Sequence, residues 1–362
     1  MQFKEKFMDF NKFRIGYVPC SNKLSLPGDR RRFCYYANKR NIKFEIAYPS
    51  KEYDFVVVTE RGDKSIWNKY GKGNARIVYD FIDSYLAIPP YDFKGVLRGL
   101  AKYIAGESRY PELNYWKAIE GMCNRADAVI CSTEEQKQDI LKFCKNVHII
   151  LDFHNSVVQK VKYDYFSSEV FNFVWEGLPY SIGSLFEIKD VLWQLKTKYK
   201  IALHIVTDLE YYKYMGRYGR QSTANLTRRL FDSVYLHEWN EKTCSAIITG
   251  CDMALIPISL NDPLAAGKPE NKLLLFWRMG LPTVVSATPA YSRVMQRCGL
   301  QMVCRTKGEW LETLEKYIKD KSARSEAGER GRTFAENHYS EEKILAQWDD
   351  VFKSIMERKN RY

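Results

Sequence analysis

Short runs rich in β-branched and aromatic residues alternate with longer helical stretches along the whole chain, and the alternation passes through two complete series. The first series offers strands at Arg14–Val18, Phe44–Tyr48, Phe55–Thr59, Arg76–Phe81, Ala128–Ser132 and Val147–Leu151. The second offers Phe171–Trp175, Ile201–Thr207, Val234–Leu236, Met253–Pro257, Pro282–Val285 and Gln301–Val303, with helical connections such as Gly183–Tyr199, Glu241–Thr249 and Lys307–Lys319. Strands joined by helices pair parallel, because each crossover carries the chain back to the end where the previous strand began. Two such series in 362 residues exceed what one hydrophobic core organises. The expectation is an α/β protein of two domains, 1–165 and 166–339, with the polar segment Gln159–Glu169 as the linker. The remaining stretch, 340–362, carries Ile344, Leu345, Trp348, Phe352 and Ile355 on one helical face, which must dock on something.

Composition narrows the partners. A formal charge of +12 favours an anionic one: a nucleotide sugar, a lipid phosphate surface, an acidic polymer or a nucleic acid. No recognised nucleic-acid module accompanies that charge, so no nucleic acid is expected. Nine Cys without a C-x-x-C pair read as reduced thiols of an intracellular protein. No apolar signal core opens the chain and no apolar run approaches a membrane span, so the expected location is cytoplasmic. The signatures of P-loop, serine hydrolase, zinc protease and dinucleotide chemistry are absent. Five His without metal-ligand spacing, and no D-x-D, make a metal ion or other bound cofactor unexpected.

The segment 251–286 is the most informative. A strand ends at Pro257, a small-residue loop follows, and a helix opens near Pro269 before Gly280-Leu281-Pro282 turns the chain into the next strand. A helix N-terminus bearing Lys268, Asn271 and Lys272 is where free N–H groups and ammonium charges favour a diphosphate. Glu270 beside it would then face hydroxyls of a ribose or sugar; a capped helix with a solvated Lys-Pro-Glu-Asn-Lys turn is the other reading. In the first half, Arg30, Arg31 and Arg32 follow Gly28 at the start of a helix, where cations oppose the dipole and invite an anionic partner or simply meet solvent. Asp83, just past the strand that contains Asp80, is a candidate for acceptor positioning or general base duty, with helix capping as its rival. Phe93, Val96, Leu97, Leu100 and Ile104 share one face of a helix whose other face carries Lys94, Arg98 and Lys102. That face either packs on its own sheet or lies on a membrane surface.

The Pro-x-Asn-Lys helix start followed by Gly280-Leu281-Pro282-Thr283-Val284-Val285 resembles the donor domain of family 4 GT-B glycosyltransferases. So do the path through Leu236-His237-Glu238-Trp239 and the strand and turn Phe173-Val174-Trp175-Glu176-Gly177. The likeness covers 171–286 well and the first half in outline. It implies two Rossmann-like domains facing a central cleft, with residues 340–362 packing back on the first. It also implies transfer of a sugar from a nucleotide-sugar donor to a glycan or lipid-linked acceptor, as in bacterial surface polysaccharide synthesis, with retention of configuration, without metal, and with peripheral contact at the inner face of the plasma membrane. On this reading Gly28, Gly177, Trp239, Lys268, Glu270, Asn271 and Lys272 bind the donor, Arg30, Arg31 and Arg32 meet the acceptor, and Asp83, Lys268 and Glu270 serve catalysis. One departure stands out. Relatives carry a second carboxylate where this chain has Leu275, which leaves a catalytically idle binding protein as the alternative.

Overall fold

The computed structural model describes residues 10–88, 93–112, 114–214 and 218–359. These divide into two compact units, one reaching to Phe153 and resuming at Ile344, the other running from His154 to Lys343.

In the first unit six strands form one parallel sheet: β1 (Ile15–Val18), β2 (Glu45–Ile46), β3 (Phe55–Thr59), β4 (Arg76–Asp80), β5 (Ala128–Cys131) and β6 (Val147–Ile149). Their order is β2-β1-β3-β4-β5-β6. Central strands read as unbroken apolar runs because helices cover both faces, and every residue of β3 and β5 is buried. The apolar face of the last helix supplies much of this unit's core. Trp348 stacks on Tyr36 at 5.4 Å between ring centroids, and Phe352 packs against Phe33, Tyr36 and Phe55. At one end of the sheet Arg32 is fully buried, with its guanidinium on Asp80 at 2.6 Å and on Asp152 at 3.0 Å.

The second unit repeats the plan with β7 (Phe171–Glu176), β8 (Ile201–Thr207), β11 (Val234–Glu238), β12 (Met253–Ile256), β13 (Thr283–Ser286) and β14 (Val303–Cys304), in the order β11-β8-β7-β12-β13-β14. Between β8 and β11 the chain forms a separate antiparallel hairpin, β9 (Glu210–Tyr214) with β10 (Tyr218–Ser222), which the sequence reading did not anticipate. Leucines and aromatics on the helix Asn271–Arg278 are buried between sheet and neighbouring helix, Trp277 against Phe334.

Residues 159–169, expected as a linker, are instead built into the second unit. Lys162 N–H donates to Met279 O at 2.8 Å, the Tyr165 hydroxyl donates to Gly280 O at 2.8 Å, and Arg324 donates to Tyr165 O at 2.9 Å. Two side chains of the segment, the Tyr165 hydroxyl and the Lys162 ammonium, which donates to Thr249 O at 3.3 Å, help to fix it there.

Candidate functional site

Parallel sheets bind ligands outside the carboxyl ends of their strands, where successive crossovers leave in opposite directions. In the first unit that switch lies between β1 and β3, and in the second between β7 and β12. The sequence-derived candidates sort themselves against these two places.

Beyond β1, the loop running to Leu26 is held by Asp29, fully buried, whose carboxylate accepts from the Tyr17 hydroxyl (2.8 Å), the Cys20 amide (2.7 Å) and the Ser21 hydroxyl (2.8 Å). Gly28 packs directly on this loop, since a Cβ there would stand 2.7 Å from the Cys20 sulfur. Its smallness therefore serves the loop's own closure. The three arginines do not act together. Arg30 closes the short helix Pro27–Arg30, is partly exposed, and donates to Ser25 O at 3.2 Å; Arg31 is buried and its carbonyl accepts from the Phe153 amide. Arg32, expected to meet an acceptor, is corrected to a core residue. Its charge is consumed by Asp80 and Asp152, and no face of its guanidinium reaches solvent. The expectation of three cations at one helix start failed because the helix ends at Arg30 and a new one begins at Phe33.

Beyond β3 stands Glu60, which sequence reasoning passed over. Its carboxylate accepts the amides of Ile82 (3.2 Å) and Asp83 (2.9 Å), joining the end of β3 to the turn that follows β4. Burial, and next the neighbouring Asp83, push its carboxyl up to about 7. Lys64, in the helix Lys64–Trp67, donates to the Glu60 carbonyl and to the Tyr115 hydroxyl, and burial pulls its ammonium down to about 8. Asp83 is half-buried in the turn it was expected to occupy.

In the second unit the structure brings two distant candidates together. Gly177 follows β7 at the switch point, with its amide donating to Val206 O at 3.2 Å. Lys272, one residue into the helix Asn271–Arg278, lays its ammonium over the Trp175 ring at 4.6 Å and against that turn. A Cβ at 177 would overlap Lys272 Nζ. Glycine is thus the residue that lets a cation reach the main chain at the end of β7. Asn271 opens the same helix and Lys268 lies in the turn before it, both partly exposed. Glu270 is nearly buried and accepts from the Tyr339 hydroxyl at 3.3 Å; burial and then Glu270 push the pKa of the Tyr339 and Tyr291 hydroxyls up, keeping both protonated. Trp239 follows β11, partly exposed, its amide on Thr207 O at 2.9 Å. Glu176, quoted in the strand-and-turn motif but given no role there, joins Asp208 and Glu238 at the ends of β7, β8 and β11. Burial and then Glu238 and Glu176 hold the Asp208 carboxyl above its ordinary value. The rim of this sheet is therefore polarised, with cations past β7 on the helix side and carboxylates toward the β11 edge.

No family model matches the chain, and no curated protein matches it. Solved structures do. Anabaena HepE, in its complex with UDP and glucose, aligns with a TM-score of 0.62 at 12% identity, over 94% of this chain and 100% of that one. Sucrose-phosphate synthase from Thermosynechococcus elongatus aligns at 0.59 and 12% identity, over 90% of this chain and 77% of that one. S. aureus TarM aligns at 0.57 and 14% identity over 82% of this chain, which spans about half, 54%, of TarM's length. The chain has the GT-B fold. Within that fold Leu275, the position of the departure noted above, is fully buried among the leucines of its helix. Among the described residues no group of three or more His, Cys, Asp or Glu side chains could hold a metal, and no helix is long and apolar enough to cross a membrane.

Proposed function

We propose that the protein is a glycosyltransferase that moves a sugar from a nucleotide-sugar donor to a glycan or lipid-linked acceptor. The observation that carries this is the ammonium of Lys272 held in the space left by Gly177, at the switch point of a sheet with Rossmann strand order. An ammonium, a helix N-terminus and a close-approach main-chain turn converging there make a diphosphate site. HepE has been solved with UDP-glucose and TarM with UDP, which supports a nucleotide as the occupant.

The donor diphosphate lies on Gly177, Lys268, Asn271 and Lys272, with Glu270 toward hydroxyls and Trp239 beside the base. As the glycosidic bond breaks, negative charge grows on the departing diphosphate. Lys268, Lys272 and the helix amides stabilise that charge without a metal, and this differential stabilisation is the source of rate. The acceptor belongs to the first unit, near Arg30 and Asp83. The product class is cell-surface polysaccharide, formed with retention of configuration by a cytoplasmic enzyme in peripheral contact with the membrane.

A thermal-shift screen against UDP, GDP, dTDP, ADP, CMP and their sugars, with EDTA present, tests the site, because a ligand that binds only the folded state raises Tm by mass action. One nucleotide stabilising the wild type and failing to stabilise Lys272→Ala is the expected outcome. Silence across the panel would favour the idle binding protein, with Leu275 in place of the second carboxylate as its cause.

A further inference from the structure

The turn Phe81–Ser84 lies past the end of β4, where the sheet ladder gives its main chain one last partner, the Ile130 carbonyl that accepts the Phe81 amide at 2.9 Å. Two side chains from neighbouring elements take over. Glu60, one residue past β3, accepts the amides of Ile82 at 3.2 Å and Asp83 at 2.9 Å. Gln136, in the helix Glu134–Ile140 that follows β5, donates its amide to the carbonyls of Phe81 at 2.8 Å and Asp83 at 3.1 Å. The Gln136 amide is itself oriented. Its side-chain oxygen accepts the Ser132 amide at 2.9 Å, so the nitrogen faces the turn, and the residue is almost wholly buried. Both main-chain groups of residue 83 are thereby held, by a donor on one side and an acceptor on the other. Glu60 is half-buried and Gln136 buried; burying an amide is costly unless its polar atoms are used, and here Gln136 directs its nitrogen onto one short turn at the switch-point end of the sheet.

We infer that Glu60 and Gln136 are positioning residues, a two-sided main-chain clamp that fixes the turn from which Asp83 addresses the acceptor. The inference rests on the reading of Asp83 as an acceptor-side residue. Either protonation state of the carboxyl offers these amides an acceptor oxygen, so what pH changes is the cost of holding the group in the clamp. The groups facing Glu60 are Cys20 past β1, Lys64 on its short helix, Tyr79 and Asp80 in β4, Asp83 and Tyr85 after it, and Tyr115 on the helix Tyr115–Arg125. Burial and Asp83 dominate that set and raise the carboxyl in the closed turn, so the clamp is tightest below the ordinary carboxylate range and loosens as pH rises towards about 7.

Hydrogen–deuterium exchange by mass spectrometry on the full chain, between pH 6 and 8 and corrected for intrinsic rates, reads the clamp directly. Glu60→Ala and Gln136→Ala should each speed exchange of the peptide spanning residues 81–88 about tenfold, the loss of one or two buried hydrogen bonds, while the rest of the first unit keeps its protection. Glu60→Gln keeps an uncharged acceptor, so it should restore protection and abolish its pH dependence. Unchanged exchange in Glu60→Ala, pH dependence that survives in Glu60→Gln, or protection lost across the whole first unit would each overturn the clamp. Asp83→Asn, assayed with the nucleotide sugar that stabilises the wild type, separates the two readings: intact protection with reduced transfer supports both. Unchanged transfer, or no stabilising nucleotide sugar at all, overturns the acceptor role of Asp83 and the positioning inference with it, whatever the exchange data show.

Discussion

Lys272 and Gly177 belong to elements that the chain joins only after five intervening strands, yet the ammonium fills the space where any side chain at 177 would begin. Gly177→Ala should therefore push Lys272 aside and weaken nucleotide binding by about tenfold, the worth of one charge-assisted hydrogen bond. Isothermal titration against the nucleotide that stabilises the wild type measures this. Glu60 makes the second prediction at this scale. Its folded-state carboxyl is raised above the ordinary value by burial and by Asp83, so between the usual carboxylate range and about 7 the folded chain holds a proton the unfolded chain has released. Stability from this group is present at low pH and is lost as pH rises through that window. Tm measured across it should fall less steeply in Glu60→Gln than in the wild type. Individual residues were unevenly legible in the sequence. Gly177 and Lys272 sit in motifs whose residue types announce their chemistry, whereas Glu60, Gln136 and Asp29 act through partners 8 to 55 positions away, and nothing local marks them. Arg32 misled for the same reason, because Asp80 in β4 and Asp152 past the end of β6 neutralise it from far along the chain.

Elements were legible wherever one period dominated. All twelve strands of the two parallel sheets fall within a residue or two of their expected places, since buried parallel strands are apolar runs bounded by polar turns. The hairpin β9–β10 escaped because Tyr, Lys, Arg and Gly alternate there without an apolar face. The helix Phe93–Ile104 reversed one of its two expected outcomes. Leu97, Leu100, Tyr103 and Ile104 are exposed, Ile104 by 75%, while Arg98 and Lys102 turn inward onto the Tyr85 and Tyr115 rings. At these positions the apolar stripe does not pack on its own sheet, and its outward face is the surface on which the proposed membrane contact is tested. Replacing Leu97, Leu100 and Ile104 together by Ser should leave Tm within about 1 °C, because surface changes cost little. The same change should abolish sedimentation with vesicles containing anionic phospholipid. Equal sedimentation of both proteins would remove the membrane from the account.

At the scale of the whole molecule, each unit by itself is a parallel sheet with a switch point, and each switch point collects polar residues the core has no use for. The second unit sets a cation against a glycine turn, with carboxylates toward its β11 edge; the first sets Glu60 and Lys64 beside a clamped turn. That division of chemistry, with a +12 chain favouring an anionic ligand, is what a two-substrate transfer between a diphosphate donor and a hydroxyl acceptor requires. The sequence carried the two-domain α/β plan because alternation of strand and helix is a long-range pattern, but it placed the crossing between units a dozen residues late, where polar composition imitated a linker. The central claim is glycosyl transfer from a nucleotide sugar, and release of free nucleoside diphosphate from a panel of nucleotide sugars, with EDTA present and Lys272→Ala alongside, tests it most directly. The account predicts release from one donor that survives EDTA and falls about a hundredfold in the variant, the scale of losing one charge-stabilising group in a transition state. Release that persists undiminished in Lys272→Ala, or none from any donor, would contradict it.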